Sequence, residues 1–529
     1  MRETVGQRLF GWEVIEQSAF GDACASSHRI QRDGADAVLA NLVSIRVQDR
    51  FPFRSHVITV PSGRLTQLDE RHVMTSNWSA TEAAAAIVRG EVSSRELTAA
   101  LLKRIEELNP SVNALAELRS QDVLSEADEA DAALSAGAPV GPLHGVPITV
   151  KEALNVAGMH TTWGNPQWAE HVSDWDATVV ARLRDAGAVL AGKSNVAFML
   201  ADFAQTTNPL CGTTRNPHDL DRAPGGSSGG AAAALAAGMT YLDLGSDLAG
   251  SIRIPAANCG VYGLKPTSGI VPLSGFQPPG PPTPPNEMSY LSCLGPMART
   301  AQDLRTALRA IAGPETPTAY SWSLPPGRRN RLADYRVGVV LDHPRVPVTD
   351  EVGAALSDTV DAIARTGATI VPGWPDGVQA DDVFQTFGFL LNVFLAYAQP
   401  GPTDIDFGEF IEHEHRRMAT RAAWRHYHQN VDVFLCPVNF TTAIPHDDRP
   451  FEQRTIATTT GPRPYTDQSF WTAHASLPGL PALSAPIGST AGGLPIGAQI
   501  IGPRYEDDTA ITFAELLAPI ASDTRPARQ

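Results

Sequence analysis

Between residues 115 and 263 short apolar runs alternate with helical patterns, and that alternation leaves few folds open to the chain. The runs at 147–150, 188–191 and 241–244 are apolar almost throughout, as strands are when both faces are buried. Interleaved helices supply the cover, so the pattern predicts an α/β sheet enclosed by helices. A second unit of the same kind follows, with strands expected at 337–341 and 368–371 around a helix at 352–366. Between the units, residues 275–285 are too rich in proline for a helix or an inner strand and are expected as a surface loop.

The strand at 147–150 runs directly into Lys151. Only four of the 41 basic residues are lysine, at positions 103, 151, 193 and 265; the others are arginine. Arginine does not give up its proton, whereas burial disfavours the ammonium form of lysine and lowers its pKa. Strand ends are where α/β enzymes place their chemistry. Lys151 is therefore a candidate general base.

Two serine motifs follow. Pro224-Gly-Gly-Ser-Ser-Gly-Gly230 is succeeded at once by the helix former 231–239, which makes it a loop-to-helix junction rich in backbone donors and a poor flexible linker. It contains the Gly-x-Ser-x-Gly spacing of a hydrolase nucleophile elbow, but the polar stretch 215–222 stands where that elbow needs a buried strand. The second motif, Gly245-Ser-Asp-Leu-Ala-Gly-Ser-Ile-Arg-Ile-Pro255, follows the strand at 241–244. Its small residues let successive amides turn toward one point, as an oxyanion hole requires. Taken alone it reads more readily as a tight turn with an incidental serine.

Together, Gly145-Val-Pro-Ile-Thr-Val-Lys-Glu152, Gly225-Gly-Ser-Ser-Gly-Gly230 and Asp247-Leu-Ala-Gly-Ser-Ile-Arg-Ile-Pro255 resemble the three catalytic blocks of the amidase signature family, in order and in spacing. Supporting blocks begin at Gly192, Gly212, Gly263, Gly295 and Gly493, and the resemblance covers about residues 77–520. It implies a large twisted mixed sheet surrounded by helices and hydrolysis of a carboxamide without metal or cofactor. Lys151 would be the base, Ser227 the relay, preceded by a cis peptide, and Ser251 the nucleophile. The backbone amides of Leu248, Ala249, Gly250 and Ser251 would hold the oxyanion, with Ser228, Asp247 and Arg253 in support. The chain departs from the family at Ala249, where glycine is usual, and at Leu248. If residue 249 needs a positive φ, its Cβ costs about 1 kcal/mol and tilts one donor.

The same resemblance leaves a glutamine amidotransferase A-type subunit, an ester or carbamate hydrolase, and a catalytically dead binding protein as alternatives. The net charge of −16 repels phosphate backbones and anionic lipid, so the expected partner is a small-molecule amide, with a homodimer as an option, and not nucleic acid or membrane. Five cysteines without a Cys-x-x-Cys pair, and no apolar run of spanning length, point to the cytoplasm. Residues 1–73 carry no chemical motif and are expected to be an extension or a misread start. An amidase domain is expected at 74–520 and a tail at 521–529. His413, His415, His426 and His428 lack zinc-ligand spacing and are expected on a solvated helix face. The apolar run 383–397 is expected in the core, or walling an acyl pocket.

Overall fold

The structure, a computed structural model, describes residues 42–44, 59–61, 78–279, 291–315, 322–397, 404–458 and 461–523. Residues 280–285 of the proline-rich loop, and most of residues 1–73, lie outside the described residues. The described residues divide into two units, one running from Trp78 onward and one holding the segments at 42–44 and 59–61. In the second, Leu42–Ser44 pairs antiparallel with Thr59–Pro61.

The larger unit opens with helices α1 (Ala80–Val88) and α2 (Ser94–Val112), each started by a capping box. Ser79 Oγ accepts from Glu82 N at 3.1 Å while Glu82 Oε2 accepts from Ser79 N at 2.9 Å; Ser93 and Glu96 repeat the exchange at 3.0 and 2.9 Å. Two otherwise orphaned amides are satisfied at each helix start. Strands β1 (Leu115–Leu118), β2 (Pro147–Lys151) and β3 (Val189–Ser194) form a small sheet in the order β1–β3–β2, with β2 and β3 parallel. Every residue of β2 is buried, including the polar Thr149 and Lys151.

The main sheet is built from β4 (Leu242–Asp247), β5 (Tyr262–Lys265), β6 (Cys293–Ala298), β7 (Arg336–Val339), β8 (Thr369–Pro372), β9 (Val433–Pro437), β10 (Ala482–Ser489) and β11 (Pro495–Ile501). Its order is β8–β7–β9–β11–β10–β5–β6–β4. Only β7 makes parallel pairs, with β8 and β9, so the sheet is mixed, as the α/β reading anticipates. Close approach decides its glycines: a Cβ on Gly295 of β6 would stand 2.0 Å from the Leu264 carbonyl oxygen. The edge strand β4 lies against β2, where Thr149 N donates to Thr240 Oγ1 at 3.1 Å. The C-terminal ends of β2 and β4 thereby carry Lys151 and Asp247 into one compartment.

One apolar core lies among the sheets and α1, α2 and the helix Asp350–Arg365. A second, aromatic-rich core gathers beneath α5 (Ala380–Tyr397), α6 (Phe407–Tyr427) and α7 (Phe470–Ser476), the labels α3 and α4 being kept for the two site helices Gly229–Ala236 and Arg253–Cys259. Val383, Phe387, Leu390 and Leu391 of α5 are buried there, which makes the apolar run at 383–397 a core helix. The histidines beside it depart from expectation. His415 and His426 are exposed, but His413 stacks on Phe389 with ring centroids 4.1 Å apart, and His428 is buried with Nδ1 3.0 Å from the Val431 carbonyl. At α6 the packed face and the solvated face each take two of the four. The final helix, α8 (Asp507–Asp523), runs past residue 520, so the expected tail begins inside it.

Candidate active site

Lys151 ends β2 with no exposed surface, and its Nζ contacts three hydroxyls: Ser227 Oγ at 2.7 Å, Ser228 Oγ at 2.8 Å and Ser246 Oγ at 2.9 Å. An ammonium donates to all three. A neutral amine has two hydrogens and one lone pair, so one of the hydroxyls must then donate to it. Burial pushes Lys151 down to about 7, against the opposing pull of Asp247 and Asp243. Near neutral pH the amine and ammonium forms coexist.

Ser227 and Ser228 stand at the entrance to α3, and the peptide between Gly226 and Ser227 is cis, as the resemblance implies. The glycines here serve close packing. A Cβ on Gly230 would lie 2.4 Å from the backbone of Asn195, and one on Gly226 would lie 2.3 Å from the Gln205 carbonyl oxygen. The loop is therefore pressed onto the segment after β3, and Ala197 N donates to the Ser227 carbonyl at 3.3 Å.

Ser251 sits on the loop between β4 and α4, its carbonyl accepting from Ser228 N at 3.2 Å. Its hydroxyl makes no hydrogen bond among the described residues. The loop is held from below by Asp247, whose carboxylate accepts from the amides of Gly250 (2.9 Å), Ile252 (3.2 Å) and Arg253 (3.4 Å). Arg253 answers with Nε at 2.9 Å and Nη2 at 2.8 Å from the same carboxylate. Both partners are fully buried. Burial alone would raise Asp247, but the Arg253 guanidinium overrides it and holds the carboxyl below its usual range. The other Arg253 hydrogens go to the Thr472 carbonyl (2.9 Å), Gln499 Oε1 (2.6 Å) and Ser476 Oγ (2.8 Å). A buried ion pair with its lone pairs and hydrogens satisfied is a rigid support.

Two expectations about this loop change. The positive φ falls on Gly250, at 115°, and not on Ala249, so the Ala249 Cβ meets no backbone penalty. Gly250 N, expected to face an oxyanion, is engaged by Asp247, which leaves the amides of Leu248, Ala249 and Ser251 without a partner among the described residues. Thr472 Oγ1 fixes the loop from the far side by donating to the Ala249 carbonyl at 2.9 Å.

Ser246, Thr472, Ser476 and Gln499 have no role assigned from the sequence. Ser246 was within reach of it, because extending the strand past residue 244 makes it the penultimate residue of β4, beside Asp247. The other three meet the loop only through the fold. A buried carboxyl on the same strand, Asp243, was also visible as the one charged residue in an apolar run. Among the described residues no group of three or more His, Cys, Asp or Glu side chains is arranged to hold a metal ion, and no helix is long and apolar enough to cross a membrane.

Known proteins match this arrangement along most of its length. The Amidase family matches residues 96–381 and 404–511. The chain is 33% identical over 483 residues to the A subunit of the glutamyl-tRNA(Gln) amidotransferase from Roseiflexus sp. (strain RS-1), covering 82% of this chain and 94% of that protein. It is also 33% identical over 491 residues to the protein of the same name from Thermus thermophilus, covering 83% and 97%. Among solved structures, a 6-aminohexanoate cyclic dimer hydrolase complexed with substrate superposes with a TM-score of 0.68 at 26% identity, covering 84% of this chain and 97% of that one. With its matched length and its mixed sheet among helices, the chain belongs to the amidase signature family.

Proposed function

We propose that the protein cleaves a carboxamide C–N bond by acyl transfer to Ser251, releasing amine or ammonia and then a carboxylate. The observation that carries this reading is the buried Lys151 Nζ, 2.7 Å from Ser227 Oγ in a compartment that lowers its proton affinity. Neutral Lys151 accepts the Ser227 proton, Ser227 accepts the Ser251 proton, and Ser251 Oγ attacks the carbonyl carbon. The amides of Leu248, Ala249 and Ser251 receive the oxyanion, each donor being worth about 3 kcal/mol of barrier. Ser227 returns the proton to the leaving nitrogen, and water hydrolyses the acyl-enzyme. Ser228 and Ser246 hold the amine in place while its lone pair faces Ser227. A fluorophosphonate probe tests the assignment: it labels the wild type and leaves Ser251→Ala unlabelled at an unchanged melting temperature. Full labelling of the variant contradicts it.

A second reading shares this chemistry and has its own support. The relatives from Roseiflexus and Thermus are named as amidotransferase subunits and are spanned almost completely by this chain. On that reading the amide is glutamine and the ammonia passes to a partner protein. Purified chain assayed against glutamine and a panel of aliphatic and aryl amides separates the two. Turnover of simple amides with no glutaminase activity supports the stand-alone amidase; activity confined to glutamine supports the amidotransferase reading.

A further inference from the structure

The compartment around Lys151 holds a second titratable group that the acyl-transfer scheme leaves idle. Asp243 is the second residue of β4 and has no exposed surface. Its Oδ2 accepts from Thr149 Oγ1 at 2.5 Å and its Oδ1 from Ser194 Oγ at 3.3 Å. Thr149 stands two residues before Lys151 on β2, so their side chains share a face, and Ser194 is the residue paired with Lys151 across β2 and β3. The two hydroxyls that flank Lys151 in the small sheet therefore converge on Asp243.

No cation hydrogen-bonds this carboxyl among the described residues, in contrast to Asp247 with its guanidinium. The remaining charges near the compartment are committed elsewhere. Arg253 of α4 is spent on Asp247, and Lys265 of β5 donates to the Pro266 carbonyl at 2.8 Å. Lys193 of β3 is turned to His160 O and Thr161, and Glu152 accepts the amides of Thr162 and Trp163. Arg299 and Arg104 bind the carbonyls of Thr240 and Ala237. Neither α3 nor β6 brings a charged side chain. Lys151 is a cation whose charge Asp243 feels.

We propose that Asp243 is a positioning residue for the reaction, setting the protonation of Lys151 by sharing one proton with it. Ammonium with carboxylate and amine with carboxylic acid differ by one N–H bond broken and one O–H bond formed, and the pair is uncharged overall in both. Burial matches the proton affinities of the two groups, so both forms are populated and the lysine is partly neutral while the compartment gains no net charge. Burial brings the two groups into the same range, Asp243 up to about 7 and Lys151 down to about 7, where each titration reports the pair. The inference rests on Lys151 being the base.

The test uses full-length protein labelled with [13Cε]lysine, which gives four signals, that of Lys151 being assigned by its loss in Lys151→Arg. In the wild type the Lys151 signal titrates in two steps. An ionised Asp243 favours the ammonium, so Asp243→Asn yields a single step with its midpoint lower by about one pH unit, and the acid limb of kcat/KM moves with it. A folded Asp243→Asn with the wild-type midpoint overturns the proposal. If that variant does not fold, a single-step wild-type curve overturns it instead. A shifted lysine signal with an unmoved acid limb refutes the reading of Lys151 as base, and Asp243's place in the reaction falls with it.

Discussion

Two compartments of this molecule bury a basic side chain, and they treat it in opposite ways. Lys151 is surrounded by three serine hydroxyls, with Asp243 and Asp247 behind them. His474, on α7, is surrounded by rings: Trp374 at 4.2 Å between centroids and Phe470 at 5.3 Å, with neither ring nitrogen hydrogen-bonded among the described residues. Desolvation lowers the proton affinity of both. Carboxylates pull the lysine back to about 7, whereas nothing opposes burial at His474, which falls to about 3 with His343 adding to the fall. Burial alone silences a base; burial against partly opposing charges leaves it poised near the working pH. Lys193 resembles Lys151 in its electrostatics, lowered to about 8 by burial against Glu152 and Glu117, but it is bound to a carbonyl and to Thr161.

The comparison breaks most completely at Lys151 itself. Lys151→Arg keeps the charge but removes the titratable proton, and its kcat/KM on a productive amide should fall about 10,000-fold or more, close to the loss in Lys151→Ala. Retention of a tenth of the activity would make the lysine a fixed charge and not a base. Arg253→Met comes next. It leaves Asp247 buried without its guanidinium, and chemical denaturation should show a loss of about 3–5 kcal/mol. Adding Asp247→Asn should restore part of that loss, because the stranded charge is then gone.

How much of this contrast could be read in advance differs between the compartments. The meeting of Lys151 with Ser227, and the place of Ser251 on the loop after β4, were legible because the proposed chemistry depends on residue type at intervals that a linear sequence preserves. The helix starts at Ser79 and Ser93 rest on capping boxes, a pattern that lies within four consecutive residues. The sequence pattern ends strand β4 at 244, since Gly245 and Ser246 look like turn residues. In the fold Gly245 is a strand residue without a Cβ because the Ile252 side chain and Ser228 Oγ stand 2.9 and 3.0 Å from where one would be. The clamp on Arg253 by Thr472, Ser476 and Gln499 joins residues more than 200 positions apart, which no local pattern reports. The use of Gly250 N by Asp247 is likewise a matter of loop conformation, and the silent His474 is an ordinary helical histidine until Trp374 closes over it.

His474 sharpens the comparison with a smaller effect. Its folded pKa lies below its unfolded value, so the unfolded chain binds a proton that the folded chain refuses, and stability falls as pH drops from about 6.5 toward 3. His474→Phe removes that contribution. Its melting temperature should therefore fall less than the wild type's between pH 6.5 and 4.5 in parallel scans; an equal fall would mean the wild-type ring is protonated and solvated. The smallest effect is expected from residues 1–73, which we propose lie outside the amidase domain. A chain begun at Met74 should keep the melting temperature and turnover of the full chain, and a drop of many degrees would make the segment part of the packed fold.

The central claim is that Lys151 works as a neutral amine because its compartment holds it near pH 7. Measuring kcat/KM against pH on the best amide of the panel, beside the 13Cε titration of Lys151 in the same buffer, tests it directly. The account predicts that activity rises as the lysine loses its proton, both with a midpoint near 7. A lysine signal that remains that of an ammonium above pH 9, in an enzyme already fully active, would contradict it.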